Sequence, residues 1–171
     1  AIELYRELDG KVDALGVGGI DLYLLVKGKP YALRQALKLV ADVKQTPAVD
    51  GCMVRSVLER GIMQFVEEKL GDQIPSKRAM ITSAVDRYDM ALSFEEAGYE
   101  TVYCDFMWAL GLPIPIRGLR NLERVAALLL PVLGSLPLHM IYPTGEKQHE
   151  IVPRWGKYYD RATVIAGDST T

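Results

Sequence analysis

Arg78-Ala79-Met80-Ile81-Thr82-Ser83-Ala84-Val85-Asp86-Arg87-Tyr88 runs from a strand through a short loop into a helix. Arg78 to Ala84 reads as the strand, and Asp86 to Ala97 as the helix, closed by Gly98. Asp86 and Asp89 suit a helix start, where carboxylates meet backbone N–H donors that have no helical partner. Thr101 to Cys104 is the next strand. Strand, crossover helix and strand in this order predict parallel pairing and an α/β architecture.

The same alternation extends in both directions. On the N-terminal side, Val12 to Gly18 reads as a strand, and Leu22 to Val26 and Pro30 to Leu33 flank a hairpin turn at Lys27-Gly28-Lys29. A helix over Arg34 to Lys44, a strand over Pro47 to Val49 and a long helix over Cys52 to Leu70 follow. The long helix carries Val54, Val57, Leu58, Ile62, Phe65 and Val66 on one stripe, with Gly71 placed as its cap. On the C-terminal side, Asp105 to Leu110 is a short helix, and Pro113 and Pro115 keep Leu112 to Ile116 extended. Leu119 to Leu130 is an apolar helix, Leu138 to Tyr142 a strand, Glu146 to Asp160 partly helical, and Thr163 to Ala166 the last strand. Together these predict a three-layer, Rossmann-like α/β fold: a mainly parallel sheet of about five or six strands with flanking helices. Residues 1–171 read as a single domain. A start already in helical pattern and an end on a strand read as a piece of a longer polypeptide.

Composition narrows the function. A hydrophobic fraction of 49% excludes disorder, and 20 basic against 22 acidic residues leave no positive field for nucleic acid. Two cysteines, Cys52 and Cys104, make no disulfide framework, which points to a reducing cytoplasm. Val125 to Leu133 is uncharged, but Pro131, Gly134, Ser135 and Pro137 interrupt the run before it reaches membrane-spanning length. The chain is therefore expected to act away from membranes.

In open α/β sheets ligands bind beyond the carboxyl ends of the strands. Asp21, Asp50, Asp86, Asp105 and Asp168 all fall at or just after such ends. Converging carboxylates can hold Mg²⁺, accept hydroxyls of a sugar or polyol, or act as a general base. Each aspartate taken alone is equally a helix or turn cap. Gly16-Val17-Gly18-Gly19 lacks the third glycine of a dinucleotide fingerprint and leads into a hairpin, so it reads as a tight turn. In the loop at Ser83 to Tyr88, phosphate would have to rely on Ser83, Arg87 and the helix N-terminus. Thr144 to His149 is the densest polar loop, with Lys147 a candidate acid–base or phosphate-binding group; the same residues equally read as a solvated turn opening a helix. His139 and His149 have no metal-ligand spacing, so no Zn²⁺ site is expected.

Leu15 to Leu24, Thr46 to Gly51, Ser83 to Arg87, Gly111 to Ile116, Tyr142 to Gln148 and Val164 to Asp168 resemble a bacterial family labelled quinate/shikimate 5-dehydrogenase-like. The resemblance implies an NAD- or NADP-dependent oxidoreductase acting on a cyclic polyhydroxy acid. In a dehydrogenase-like reading of the strand carboxyl edge, Ser83, Asp86 and Arg87 are expected to face the cofactor, while Lys147, Asp50 and Asp21 approach the substrate. The comparable strand-to-helix loop here contains no glycine. Two other readings stand beside it: a non-catalytic binding or assembly protein on the same fold, and a metal-assisted enzyme using the strand-end aspartates. A homodimer is expected, with Trp108 and the Pro113 to Ile116 segment near the contact, because an all-round apolar helix in a chain this size needs extra cover.

Overall fold

The computed structural model describes residues 1–136 and 154–167. The order of elements is α1 (Ile2–Leu8), β1 (Leu15–Gly16), β2 (Tyr23–Val26), β3 (Lys29–Ala32), α2 (Arg34–Leu37), β4 (Ala48–Val49) and α3 (Cys52–Leu70). Then come β5 (Arg78–Ile81), α4 (Tyr88–Glu96), β6 (Glu100–Tyr103), α5 (Asp105–Leu110), β7 (Ile116–Arg117), α6 (Leu119–Leu133), α7 (Gly156–Tyr159) and β8 (Val164–Ala166).

The expected single, mainly parallel Rossmann-like sheet is not what forms. The strands divide into three small sheets: a parallel pair β1-β4, an antiparallel pair β2-β3, and a mixed sheet ordered β7-β6-β5-β8. Within the last, β5 pairs in parallel with β6 and β8, whereas β7 is antiparallel to β6. The cause is strand length. β1 and β4 are two residues each, because the chain turns at Gly18-Gly19, with Gly19 at φ 75°, and again at Asp50-Gly51, with Gly51 at φ 75°. Such stubs have too few ladder bonds to extend a neighbouring sheet. Arg34 to Lys44 also falls short of a helix: only Arg34–Leu37 is helical, and turns follow.

The βαβ unit forms as its pattern predicts, with β5, α4 and β6 in parallel register from Arg78↔Glu100 to Ile81↔Tyr103. Gly98, at φ 78°, closes α4. The β2-β3 hairpin turns through Lys27 (φ 55°) and Gly28 (φ 72°), the left-handed pair that a two-residue turn matched to strand twist requires. Gly71, by contrast, is right-handed and opens a short 3₁₀ turn over Gly71–Gln73 rather than capping α3.

One continuous core joins the first fifty residues to the rest: Val17, Leu22, Leu24, Val26 and Leu33 pack with Ile81, Phe94, Tyr103 and Leu122. Gly134 fixes α6 against the hairpin, since a Cβ there would collide with the Ala32 carbonyl oxygen. Its own carbonyl accepts from the Arg34 N–H at 2.8 Å. α6 carries only apolar residues after Arg124, yet it is not buried all round: Leu122, Ala126 and Leu130 face inward, while Leu128 is 74% exposed. No helix among the described residues is long and apolar enough to cross a membrane.

Candidate functional site

α3 is inside out. Its inward face carries Arg55, Ser56, Glu59 and Met63, and its outward face carries Val54, Val57, Leu58 and Phe65. Of the apolar stripe of the sequence, Val66 packs against the core, while Val54, Val57, Leu58, Ile62 and Phe65 are exposed. The charged stripe faces in because α3 meets the acidic loops after β1 and β5 and the start of α4, and its cations find partners there.

Arg55 is the hub. Its Nη1 is 2.9 Å from Asp21 Oδ2, and its Nη2 lies 3.6 Å from Asp86 Oδ1. Asp21 comes from the turn after β1 and Asp86 from the loop after β5, so Arg55 gathers two strand ends from different sheets. The Asp21 and Asp86 carboxyl groups also lie within hydrogen-bond reach of each other. Arg87 Nη1 pairs with Glu59 Oε1 at 2.8 Å, and Glu59 is buried. Farther along the same face, Ser56 Oγ donates to Asp89 Oδ2 at 2.6 Å, and Arg60 reaches Asp89 and Glu96.

These surroundings set protonation. Burial pushes the Asp86 carboxyl up to about 6; Arg55 opposes the shift and Asp21 adds to it. The like-charged Asp21 carboxylate beside it helps to hold the proton on Asp86. Asp86 Oδ1 is sealed from water, yet the side chain as a whole is 31% exposed. The pair is thus open to solvent on one side.

Asp50 has a different task. It accepts from the Leu22 N–H at 2.7 Å, the Tyr23 N–H at 3.3 Å and the Cys52 N–H at 3.1 Å. Burial raises its pKa, but these donors outweigh that and hold the carboxyl below its ordinary value. It is a fixed anion clamping the hairpin to the start of α3, with its oxygens already used. Cys52 beside it is pushed up to about 11, first by burial and then by Asp50, and remains a thiol.

Asp105 answers the phosphate question. Its Oδ1 accepts the Val85 N–H at 2.8 Å, and the Ala84 N–H also supports the carboxylate. The loop after β5 is where a dinucleotide pyrophosphate would lie on backbone amides. Here a carboxylate of the chain itself takes two of them. Arg87 is held by Glu59, and the Asp21–Asp86 pair beside it repels phosphate. Ser83, Asp86 and Arg87 are brought to one loop, but that donor set does not fit a nucleotide pyrophosphate. Nor does it fit Mg²⁺: the Arg55 guanidinium stands where a cation bridging Asp21 and Asp86 would sit. Among the described residues no group of three or more metal-ligating side chains converges.

Lys147, Asp168, His139 and His149 lie outside the described residues, as do the Leu138 to Tyr142 strand and most of the Glu146 to Asp160 helix. The structure thus unites Asp21 with Asp86 and Arg87, and places Asp50 beside them as a clamp. An open cavity of about 670 Å³ lies elsewhere, lined by Lys27, Gly118, Arg120, Glu123 and Arg124 among others. It contains none of the strand-end aspartates. Arg55 and Glu59 are the site residues that the sequence reading missed. Their i, i+4 spacing, with Ser56 between them, was the available signal.

No curated protein and no solved structure matches the chain. Residues 1–50 match a family described as a domain of unknown function (DUF8753), which contributes Asp21 and Asp50. Residues 53–171 match a second domain of unknown function (DUF8754), which contributes Arg55, Glu59, Asp86 and Arg87. The site lies across the junction of the two matches, and by the larger of them the chain belongs to the DUF8754 family.

Proposed function

We propose that the chain binds a small, hydroxyl-rich molecule at the Asp21–Asp86 pair and moves a proton there by general acid–base chemistry. The observation that carries this reading is a carboxyl pair on a shared guanidinium, one member titrating near 6 and partly open to water. A group poised near neutrality accepts and returns a proton with little cost in either direction. Asp86 is the proton carrier. Asp21 and Arg55 position it, and Asp50 holds the loop that carries Asp21.

Charge refines the ligand class. Asp21, Asp50, Glu59, Asp86 and Asp89 outnumber Arg55, Arg60 and Arg87, so the site is net negative. Both Arg55 and Arg87 already have carboxylate partners. A neutral polyol suits this field better than the cyclic acid implied by the dehydrogenase-like resemblance, and no nucleotide is included in the reading.

Thermal unfolding with inositol, quinate, shikimate and NAD⁺ tests it. Inositol is expected to raise the midpoint, a ligand at 100 times its Kd being worth about 2.7 kcal/mol. Asp86→Asn and Asp21→Asn are each expected to abolish the shift. Ligand shifts that survive both substitutions would place binding elsewhere, and no shift with any of the four would remove the reading.

A second reading is favoured by the junction itself: the Arg55 bridge joins residues 1–50 to residues 53–171 and can serve as a clasp between them. In that case Arg55→Met lowers stability and changes no binding.

A further inference from the structure

We infer that the outward face of α3 is a homodimer interface, in which two copies pair antiparallel about a two-fold axis passing between Glu59 and Arg60. Met53, Val54, Val57, Leu58, Ile62 and Phe65 are between 38% and 71% exposed on one face of a single helix. From Met53 to Phe65 that face bears no charge; the nearest, Arg60, is turned to Asp89 and Glu96. Their exposed area is on the order of 700 Å² per copy, above the largest patch of an ordinary monomer and close to the ~800 Å² each partner buries in a standard interface.

Size and spacing identify the occupant as a second copy. Val54, Leu58, Gly61 and Phe65 follow the 4-3-4 spacing of a coiled-coil seam. Antiparallel pairing about the Glu59–Arg60 midpoint sets Leu58 against Gly61 of the other copy, and Val54 against its Phe65. Large meets small in both layers. A Cβ at Gly61 would meet nothing within 4 Å in the single chain, so the hollow there is open to an incoming side chain. Val57 and Ile62 flank the seam on either side. Each residue contacts the other's equivalent, as an isologous two-fold interface requires.

The inverted polarity of α3 supports the same conclusion. A helix whose own domain takes its charged face has its apolar face left over, and a partner covers it. The patch is larger than that of the Leu112–Ile114 segment, where Leu112 is 42% and Ile114 51% exposed.

Sedimentation equilibrium of the full chain over a hundredfold concentration range tests the proposal. The wild type is expected to run at twice 19.0 kDa. Leu58→Glu and Gly61→Lys are each expected to run as monomers when alone. Mixed in equal amounts, they are expected to recover a dimer, because one layer then sets the introduced carboxylate against the introduced ammonium while the other keeps Gly61 against Leu58. Val54→Lys mixed with Phe65→Glu repeats the test in the outer layer. All four positions lie on the exposed face, and circular dichroism confirms that each variant retains the helix content of the wild type. A wild type that stays monomeric throughout, including one whose face instead adheres to phosphatidylcholine vesicles, overturns the proposal. So does a dimer indifferent to the single substitutions, or one that neither mixture restores.

Discussion

The ionisation of Asp86 leaves a mark on stability. Its carboxyl titrates near 6 in the folded chain against an ordinary value of 3.8. Between those values the folded state holds a proton that the unfolded state has released. Stability therefore falls as pH rises from about 4 to about 6, then levels off. Asp86→Asn cannot ionise and loses this cost. Urea unfolding at pH 4.5 and 7.5 is expected to show a smaller loss between the two pH values in the variant, with the variant at least as stable as the wild type at pH 7.5. A variant weaker by more than about 1 kcal/mol at pH 7.5 would mean that the Arg55 contact outweighs the burial cost. Asp105, raised to about 6 chiefly by burial, contributes a slope of the same sign that remains in the variant. Asp50 behaves oppositely: its pKa is depressed, so its contribution is present above 3.8 and lost as pH falls toward the folded value. Asp50→Ala orphans the N–H groups of Leu22, Tyr23 and Cys52 and is expected to cost about 1–3 kcal/mol at pH 7.

At the scale of elements, what local chemistry dictates was legible in the sequence. Lys27-Gly28 between two β-rich runs located the hairpin turn, and Gly98 located the end of α4, because each position demands a left-handed residue. The bounds of α3, Cys52–Leu70, were equally plain. Which face of α3 is buried was not. Apolar periodicity marks a face that needs cover but not who supplies it, and here the charged stripe had partners within the chain. Sheet connectivity was hidden for another reason: β1 and β4 are two-residue strands more than thirty residues apart, with no periodicity long enough to read. The loop after β5 shows the same limit, since Asp105 looks like a helix start but acts across the sheet on Val85. Asp105→Ala is expected to release the Ala84 and Val85 amides and speed their hydrogen exchange ~10-fold or more, leaving Met80 and Ile81 within the β5 ladder slow. Equal acceleration throughout β5 would mean that Asp105 supports the whole sheet rather than one loop.

For the molecule as a whole, the question is whether the two family-matched segments fold together. They share more than the Arg55 bridge. Leu33, 2% exposed and contributed by residues 1–50, belongs to the same core as Ile81, Phe94 and Leu122 from residues 53–171. A backbone bond reinforces the joint, from the Arg34 N–H to the Gly134 carbonyl. A shared core makes unfolding of one segment expose apolar surface of the other, which is the physical basis of a single cooperative transition. Leu33→Ala removes buried atoms at this joint and is expected to destabilise by about 2–5 kcal/mol. Both tryptophans, Trp108 and Trp155, lie in residues 53–171, so their fluorescence reports that segment while far-UV circular dichroism reports both. In urea the two signals are expected to coincide in the wild type and to move together to lower midpoint in Leu33→Ala. A dichroism change that precedes the fluorescence change, with the fluorescence midpoint unmoved by the substitution, would show that residues 53–171 hold their fold without the first fifty. The Asp21–Asp86 pair would then open before the β5-α4-β6 unit does, and ligand binding would be lost at urea concentrations that leave the tryptophans unchanged.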